Sequence, residues 1–534
     1  MEPDSNPATH TSSWRTERPV YVDRLPPCNH ACPAGENIQA WLHHAGLGEY
    51  RIAWNALVCD NPFPAVVGRV CYRPCEQACN RSQFDDTVGI HAVERFLGDE
   101  AIRQGWPFDV AAVPTGKRVL VVGAGPSGLS AAYHLRRLGH APTIWEAGPK
   151  AGGMLRFGIP TYRLPRPILD AEAARIEAMG VEIQLNAKVD DLSALMRDGG
   201  FDAAFLAVGA HLAKRTSIPA VDASRILDAL SVLRGMDSGG PPLLGRRVLI
   251  YGGGNTALDV ARSAKRLGAE DSLIVYRRTR EKMPAHDFEV QEALDEGIRI
   301  QWLSTIKEAE EHSFVVEKMK LDETGFPRPT GEYERIEGDS LILALGQEVD
   351  LGLLRNVQGL EIVDGVVKVS PQMMTGCPGI FAGGDMVPCE RTVTVAIGHG
   401  KKAARNIDAW LRGSVYTPAP KHEIASSDRL HTWHYTKAPK SVQPQLDLGR
   451  RQATFDEVIG GLEESQALFE ARRCLSCGNC FECDECYDLC PDQAILKLGP
   501  GQRFRFEYDN CQGCGLCAQE CPCGAIEMVA ETAE

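Results

Sequence analysis

Residues 118–139 read RVLVVGAGPSGLSAAYHLRRLG. RVLVV has the apolar run of a buried strand, Gly123-Ala124-Gly125-Pro126-Ser127-Gly128 forms a tight turn, and the remainder has the periodicity of a helix. Glycine serves the turn at Gly123, close approach of a diphosphate at Gly125 and helix–strand packing at Gly128, while the first N–H groups of the helix attract phosphate. Glu146, twenty-three residues after Gly123, ends the strand APTIWE and is placed to accept hydrogen bonds from a ribose. The glycine spacing alone is a weak signal. With strand, helix and acid all in place it predicts a dinucleotide site.

The pattern returns at residues 246–268, RRVLIYGGGNTALDVARSAKRLG, with Gly252, Gly253, Gly254, Asn255, Thr256 and Ala257 in the turn. Its next strand, DSLIVYRR, ends in Arg277 and Arg278 instead of a carboxylate. Cations there suit a ribose 2′-phosphate, so NADP(H) is favoured over NAD(H). The alternative is that both arginines belong to a solvated face or a salt bridge. The segment 375–407 carries FAGGD before an apolar helix; Asp385 is placed to hold a flavin ribityl or diphosphate region, with Thr394, Val395 and Ala396 starting a helix aimed at the ring. DSLILALGQ (339–347) would return the chain from the second nucleotide unit to the first, giving an FAD domain with an NAD(P)H domain inserted.

At 534 residues the chain exceeds one hydrophobic core, and roughly three or four domains are expected. Apolar residues at 44% and charged residues at 24% are ordinary for a globular protein and exclude a mainly disordered or fibrous one. A net charge of −14 argues against a nucleic-acid or anionic-membrane surface. No apolar stretch reaches the ~18 to 20 residues of a membrane span. MEPDSNPATHTSSW lacks the basic start and apolar run of an export signal, so a cytoplasmic protein is expected.

Nineteen cysteines are the unusual number, and in a reducing compartment they are metal ligands before they are disulfides. Cys480, Cys483, Cys486 and Cys490-Pro491 are followed by Cys511, Cys514, Cys517 and Cys521-Pro522 with the same spacing. This is the doubled run of a bacterial two-cluster ferredoxin, in which the fourth cysteine of each run serves the other cluster. Cys480, Cys483, Cys486 and Cys521 then hold one [4Fe–4S] cluster, and Cys490, Cys511, Cys514 and Cys517 another; zinc is the alternative. A second group, Cys28, Cys32, Cys71, Cys75 and Cys79, lies among helical patterns near the start, and Cys59, Cys377, Cys389 and Cys523 are left over as buried or incidental thiols.

GAGPSGLSAA (123–132), GGMLRFGIPTYRLP (152–165), GGGNTALDVA (252–261), YRR…MPA (276–285) and FAGGD (381–385) resemble, in that order, the small subunit of glutamate synthase. The resemblance covers nearly all of residues 20–415. The same architecture occurs in dihydropyrimidine dehydrogenase, in the large subunit of electron-bifurcating transhydrogenases and in the iron–sulfur flavoprotein of dissimilatory sulfur metabolism, to which the C-terminal module is most similar. The resemblance implies two N-terminal clusters and a preceding Arg-Cys-x2-Cys, yet residues 1–27 contain no cysteine. Arg473-Cys474-x2-Cys477 has the flanking sequence of the missing piece. Relocation of that piece implies one cluster on Cys28, Cys79, Cys474 and Cys477. The other takes Cys32, Cys71, Cys75 and, by matching VGIHAVERF to the family, Glu94; the alternative for Glu94 is a helix-surface glutamate.

The expected architecture is multidomain: a helical iron–sulfur domain (1–115), two α/β Rossmann-like units forming an FAD domain (116–240 and 339–415) and an inserted NAD(P)H domain (241–338), a linker (416–470) and an α+β ferredoxin domain (471–534). The expected activity is NAD(P)H:acceptor oxidoreduction by an electron-transfer subunit, with FAD standing between a two-electron nicotinamide and four one-electron clusters. No side chain is expected to act as acid or base. A disulfide reductase would need a Cys-x2-Cys between residues 117 and 470, and none occurs. The implied partner is a glutamate synthase large subunit, a 2-oxoacid oxidoreductase or a sulfite reductase. An assembly subunit with vestigial nucleotide sites is the non-enzymatic alternative, and both glycine turns are intact against it.

Overall fold

A computed structural model describes residues 15–531 apart from 111, 215, 222–224, 238 and 241. Residues 1–14, on which the reading of the export signal falls, lie outside the described residues.

Both glycine turns follow parallel strands. Arg118–Val122 is the central strand of a five-stranded sheet, flanked by Ala203–Leu206 and Ile380–Ala382 on one side and by Ala141–Trp145 and Glu182–Gln184 on the other. Arg247–Tyr251 is central in a second five-stranded parallel sheet, between Asp271–Val275 and Ser340–Leu343. The continuous apolar runs RVLVV and RVLIY fit this placement, because a central parallel strand is covered on both faces.

The second sheet corrects two expected boundaries. Its edge strand Ile226–Asp228 lies in the stretch assigned to the first domain, and Ser340–Leu343 pairs within the second sheet although it was expected beyond 338. The strands of this sheet therefore span residues 226 to 343. A three-residue edge strand carries too little pattern to be seen in sequence.

The N-terminal helices Ile38–Gly46, Tyr50–Val58, Pro64–Val70 and Ile90–Arg103 share one continuous core with the first sheet, in which Trp41, Trp54, Phe63 and Leu97 are buried together with Val119, Phe205 and Phe381. The second sheet has its own core around Ile250, Val260 and Ile274.

Residues 416–470 are not a free linker. Asn80 donates to the Ala425 carbonyl at 2.9 Å, Lys440 Nζ meets Glu76 Oε2 at 2.5 Å, and Arg266 of the second nucleotide unit donates to the Thr454 carbonyl at 3.1 Å. The segment is a strap whose partners belong to other domains, which is why it shows no periodicity of its own. It leads into the helix Glu464–Arg472 and the small cysteine-rich unit, whose last strand, Ile526–Ala530, pairs antiparallel with Glu17–Tyr21. The two ends of the described chain are thereby joined.

Candidate functional site

A cavity of about 820 Å³ opens between the two nucleotide units. Its walls include Gly252, Gly254, Asn255 and Thr256 from the second glycine turn, Arg277 and Arg278 from the strand end, and Asp385 and Ala396 from the first unit. Ala257 is fully buried beneath the turn. Gly254 caps the helix Asn255–Arg266 without a side-chain acceptor, and a Cβ placed on it would meet nothing within 4 Å. Arg278 Nε is buried with no partner. An open backbone cradle at a helix start, with an unpartnered guanidinium nitrogen at the other end, has the donors a phosphorylated dinucleotide requires.

Gly123, Gly125, Gly128 and Glu146 converge beside this cavity rather than in it. A Cβ on Gly128 would lie 1.9 Å from the Gly123 carbonyl, so the turn admits only glycine there, whereas one on Gly125 would approach nothing nearer than 3.9 Å. Gly125 precedes the helix Pro126–Arg137 with no side-chain cap, and Ser127 Oγ is buried without a partner. These are the donors that the diphosphate of FAD calls for. Glu146 Oε2 accepts from Ala124 N and Oε1 from Gly148 N, both at 2.7 Å, so this carboxylate holds the turn. Burial pushes the Asp385 carboxyl up, with the Arg391 charge opposing it. Thr392 Oγ1 accepts from Val395 N and starts the helix Val393–Leu411; Thr394 is buried with its hydroxyl beside the Cys71 thiol, and Val395 is half-buried outside the cavity wall.

The cysteines fall into four sets. Cys28, Cys79, Cys474 and Cys477 line one small cavity with Gln39 and Asn80. Burial, and then the charges of the other three thiols, push Cys28 far above the ordinary thiol range. Such a set becomes a set of thiolates when a cationic cluster compensates it. Arg473, immediately before this pair, is held by Glu470 Oε1 at 2.6 Å and the Thr87 carbonyl at 3.0 Å.

Cys480, Cys483, Cys486 and Cys521 line a second small cavity, and Cys490, Cys511, Cys514 and Cys517 a third. Each run thus lends its fourth cysteine to the other set. Cys523, left over in the sequence, is buried in the second of these cavities with its sulfur 3.7 Å from that of Cys521. Among the described residues no three Cys, His, Asp or Glu side chains stand close enough to grip a single ion directly.

The fourth set is Cys32, Cys71 and Cys75. Burial raises the Cys32 thiol, and the Glu36 and Glu94 carboxylates and Cys71 add to it. Glu94 is 4% exposed, which removes the surface-glutamate alternative. Its Oε1 accepts from Asn61 Nδ2 at 2.8 Å, and the same amide donates to Glu36 Oε1 at 3.0 Å. Burial pushes Glu36 up to about 7 and Glu94 well above the carboxylate range. Sequence reading missed Glu36, which sits four residues after Cys32; that spacing was the one available signal.

One nucleotide cradle in the cavity wall and a second beside it, with thiol sets alongside, define a flavoprotein oxidoreductase of pyridine nucleotides with iron–sulfur centres. Comparison with known proteins agrees. The family model "Pyridine nucleotide-disulphide oxidoreductase" matches residues 117–400, that of dihydropyrimidine dehydrogenase domain II, 4Fe-4S cluster, residues 15–106, and that of the 4Fe-4S dicluster domain, residues 479–525. The chain belongs to the pyridine nucleotide-disulphide oxidoreductase family, in an FAD- and iron–sulfur-dependent, NAD(P)H-using form. It is 35% identical over 500 residues to the NADP(+)-dependent formate dehydrogenase subunit beta of Moorella thermoacetica, covering 84% of this chain and 70% of that one. It is 34% identical over 515 residues to the NADPH-Fe(3+) oxidoreductase subunit beta of Geobacter sulfurreducens, covering 86% and 76%. With the glutamate synthase [NADPH] small chain of Escherichia coli it shares 31% over 420 residues, covering 72% and 89%. Among the described residues no helix is long and apolar enough to cross a membrane.

Proposed function

We propose that this chain is the electron-transfer subunit of a larger cytoplasmic enzyme, exchanging electrons between NADPH and a catalytic partner. The observation that carries this reading is the placement of the thiol sets: Tyr72 in the cavity wall directly follows Cys71, Thr394 beside Cys71 lies on the helix whose Val393 and Ala396 line the cavity, and Cys514 of the last set is exposed. Bound FAD would supply the conversion that no side chain performs, exchanging one hydride, an electron pair, with nicotinamide and single electrons with iron–sulfur clusters.

Gly123, Gly125, Gly128, Glu146 and Asp385 hold the FAD, with Thr394, Val395 and Ala396 at the helix start toward its ring. Gly252, Gly254, Asn255, Thr256 and Ala257 form the cradle of the nucleotide diphosphate, and Arg277 and Arg278 clamp its 2′-phosphate. Cys32, Cys71, Cys75 and Glu94 would hold the cluster nearest the cavity, and Cys28, Cys79, Cys474 and Cys477 the next. The two ferredoxin sets carry the path to the surface. The partner is of the kind the relatives' names describe, such as a formate-oxidising enzyme or a glutamate synthase large subunit; a 2-oxoacid oxidoreductase and a sulfite reductase have the same electron chemistry.

Anaerobic rapid mixing with NADPH, combined with iron analysis, tests the reading. The flavin absorbance should bleach first and the cluster absorbance should follow, in a protein holding about sixteen irons per chain. Flavin reduction with no electron reaching any cluster would reject it.

A further inference from the structure

Tyr72 directly follows Cys71 but faces away from the helical domain. Its ring stacks on His286 of the second nucleotide unit, with centroids 3.7 Å apart and planes 23° from parallel. Its hydroxyl accepts from Asn255 Nδ2 at 2.6 Å, and Asn255 Oδ1 accepts from the His286 backbone N–H at 3.2 Å. Asn255 is the first residue of the helix behind the second glycine turn. On its other side Tyr72 is bound to the cluster loop: Arg73 adopts a left-handed backbone with φ 60°, its N–H points at Cys71 Sγ at 3.3 Å, and its guanidinium lies 4.9 Å from the Phe288 ring centre.

A diphosphate entering the cradle meets the helix start and the Asn255 amide, whose two N–H donors include the one now given to Tyr72. Either that diphosphate takes the remaining donor and fixes the amide, or it takes the occupied donor and releases Tyr72. In both cases nucleotide occupancy and the position of Tyr72 are tied together. Cys71, the residue before Tyr72, carries the sulfur, and the peptide N–H that follows Tyr72, that of Arg73, donates to it; hydrogen bonds to cluster sulfurs are among the terms that set cluster potential.

We propose that Tyr72 is a positioning residue that couples occupancy of the second nucleotide site to the reduction potential of the iron–sulfur cluster carrying Cys71. The inference rests on the nucleotide and cluster assignments above. Coupling of this kind is reciprocal: a nucleotide that shifts the potential must bind the two redox states with different affinity.

The test uses full-length protein with its flavin and clusters, and tetrahydro-NADP, an analogue with the same diphosphate but no hydride to give. In the unmodified protein its affinity should differ by about fivefold or more between the oxidised and reduced states of the Cys71 cluster, with a matching shift in the potential read by electron paramagnetic resonance. Tyr72→Phe keeps the stack and removes the hydroxyl; His286→Ala removes the stack. Both should retain iron content and cluster spectrum while the affinity difference falls below about twofold. An undiminished difference in both variants, or none in the unmodified protein, overturns the coupling alone. No binding of the analogue to the unmodified protein overturns the nucleotide-site assignment, and the coupling with it.

Discussion

Arg278 presents a buried, unpartnered Nε at the rim of the shared cavity, while Arg277 beside it is exposed. A guanidinium so placed gains most from an anion that arrives with the ligand. Arg278→Ala should therefore cost about 1.5 to 3 kcal/mol of binding, roughly a ten- to hundredfold rise in KM for NADPH. NADH, lacking the 2′-phosphate, should be little affected. Steady-state kinetics with both nucleotides measures this; equal losses would mean that the arginine serves the fold instead. A second residue-scale outcome concerns the carboxylates at Cys32 and Cys71. Asn61 joins Glu36 and Glu94, but Glu94 alone was read as a ligand. Glu94→Ala should leave that cluster labile and cost about four irons per chain, and Glu94→Cys should retain it with a shifted potential, whereas Glu36→Gln should keep the iron. Iron loss in Glu36→Gln with full iron in Glu94→Ala would exchange the two roles.

Elements explain what sequence could and could not reveal. The two glycine turns were legible because their requirement is local: Gly128 is dictated by the Gly123 carbonyl five residues away. The doubled cysteine run was legible for the same reason. Glu36 was not, since its meaning arises where two loops and a helix bring Cys32, Asn61 and Glu94 together. The strap 416–470 and the edge strand Ile226–Asp228 were misassigned because their partners are remote and their own patterns short. The Arg473-Cys474-x2-Cys477 motif occupies an intermediate position, visible in sequence and explained by the helix before it. Glu470, fully buried on that helix, accepts from Gly89 N at 2.6 Å, Ser441 N at 2.8 Å and Arg473 Nη1 at 2.6 Å. Removing the cation leaves a buried carboxylate short of its charge partner, so Arg473→Ala should destabilise the protein by about 3 to 5 kcal/mol. The cluster assigned to Cys28, Cys79, Cys474 and Cys477 should be lost first on mild chelation. Thermal unfolding and the spectrum of that cluster are the measurements; an unchanged melting temperature would show that the Arg473–Glu470 pair is dispensable.

Across the whole molecule, charge is distributed unevenly. From Cys474 to the end, eleven Asp and Glu face three Lys and Arg, and Cys514 of the distal set is exposed with Asp492 and Leu516 lining the same cavity. A negative field around an exit point attracts a basic partner at long range, and salt shortens that range from ~10 Å at about 0.1 M to ~3 Å at about 1 M. The second-order rate of electron transfer to the partner should therefore fall by about tenfold or more across that range, while the flavin-to-cluster step inside the chain stays constant. Asp488→Asn and Glu520→Gln together should weaken the salt dependence without loss of iron. Ending the chain at residue 470 is the harsher test, since it removes both ferredoxin sets together with Cys474 and Cys477. About four of sixteen irons should remain, flavin reduction by NADPH should persist, and transfer to the partner should cease. Undiminished transfer by that shortened chain would place the exit elsewhere, on the surface over the helical domain.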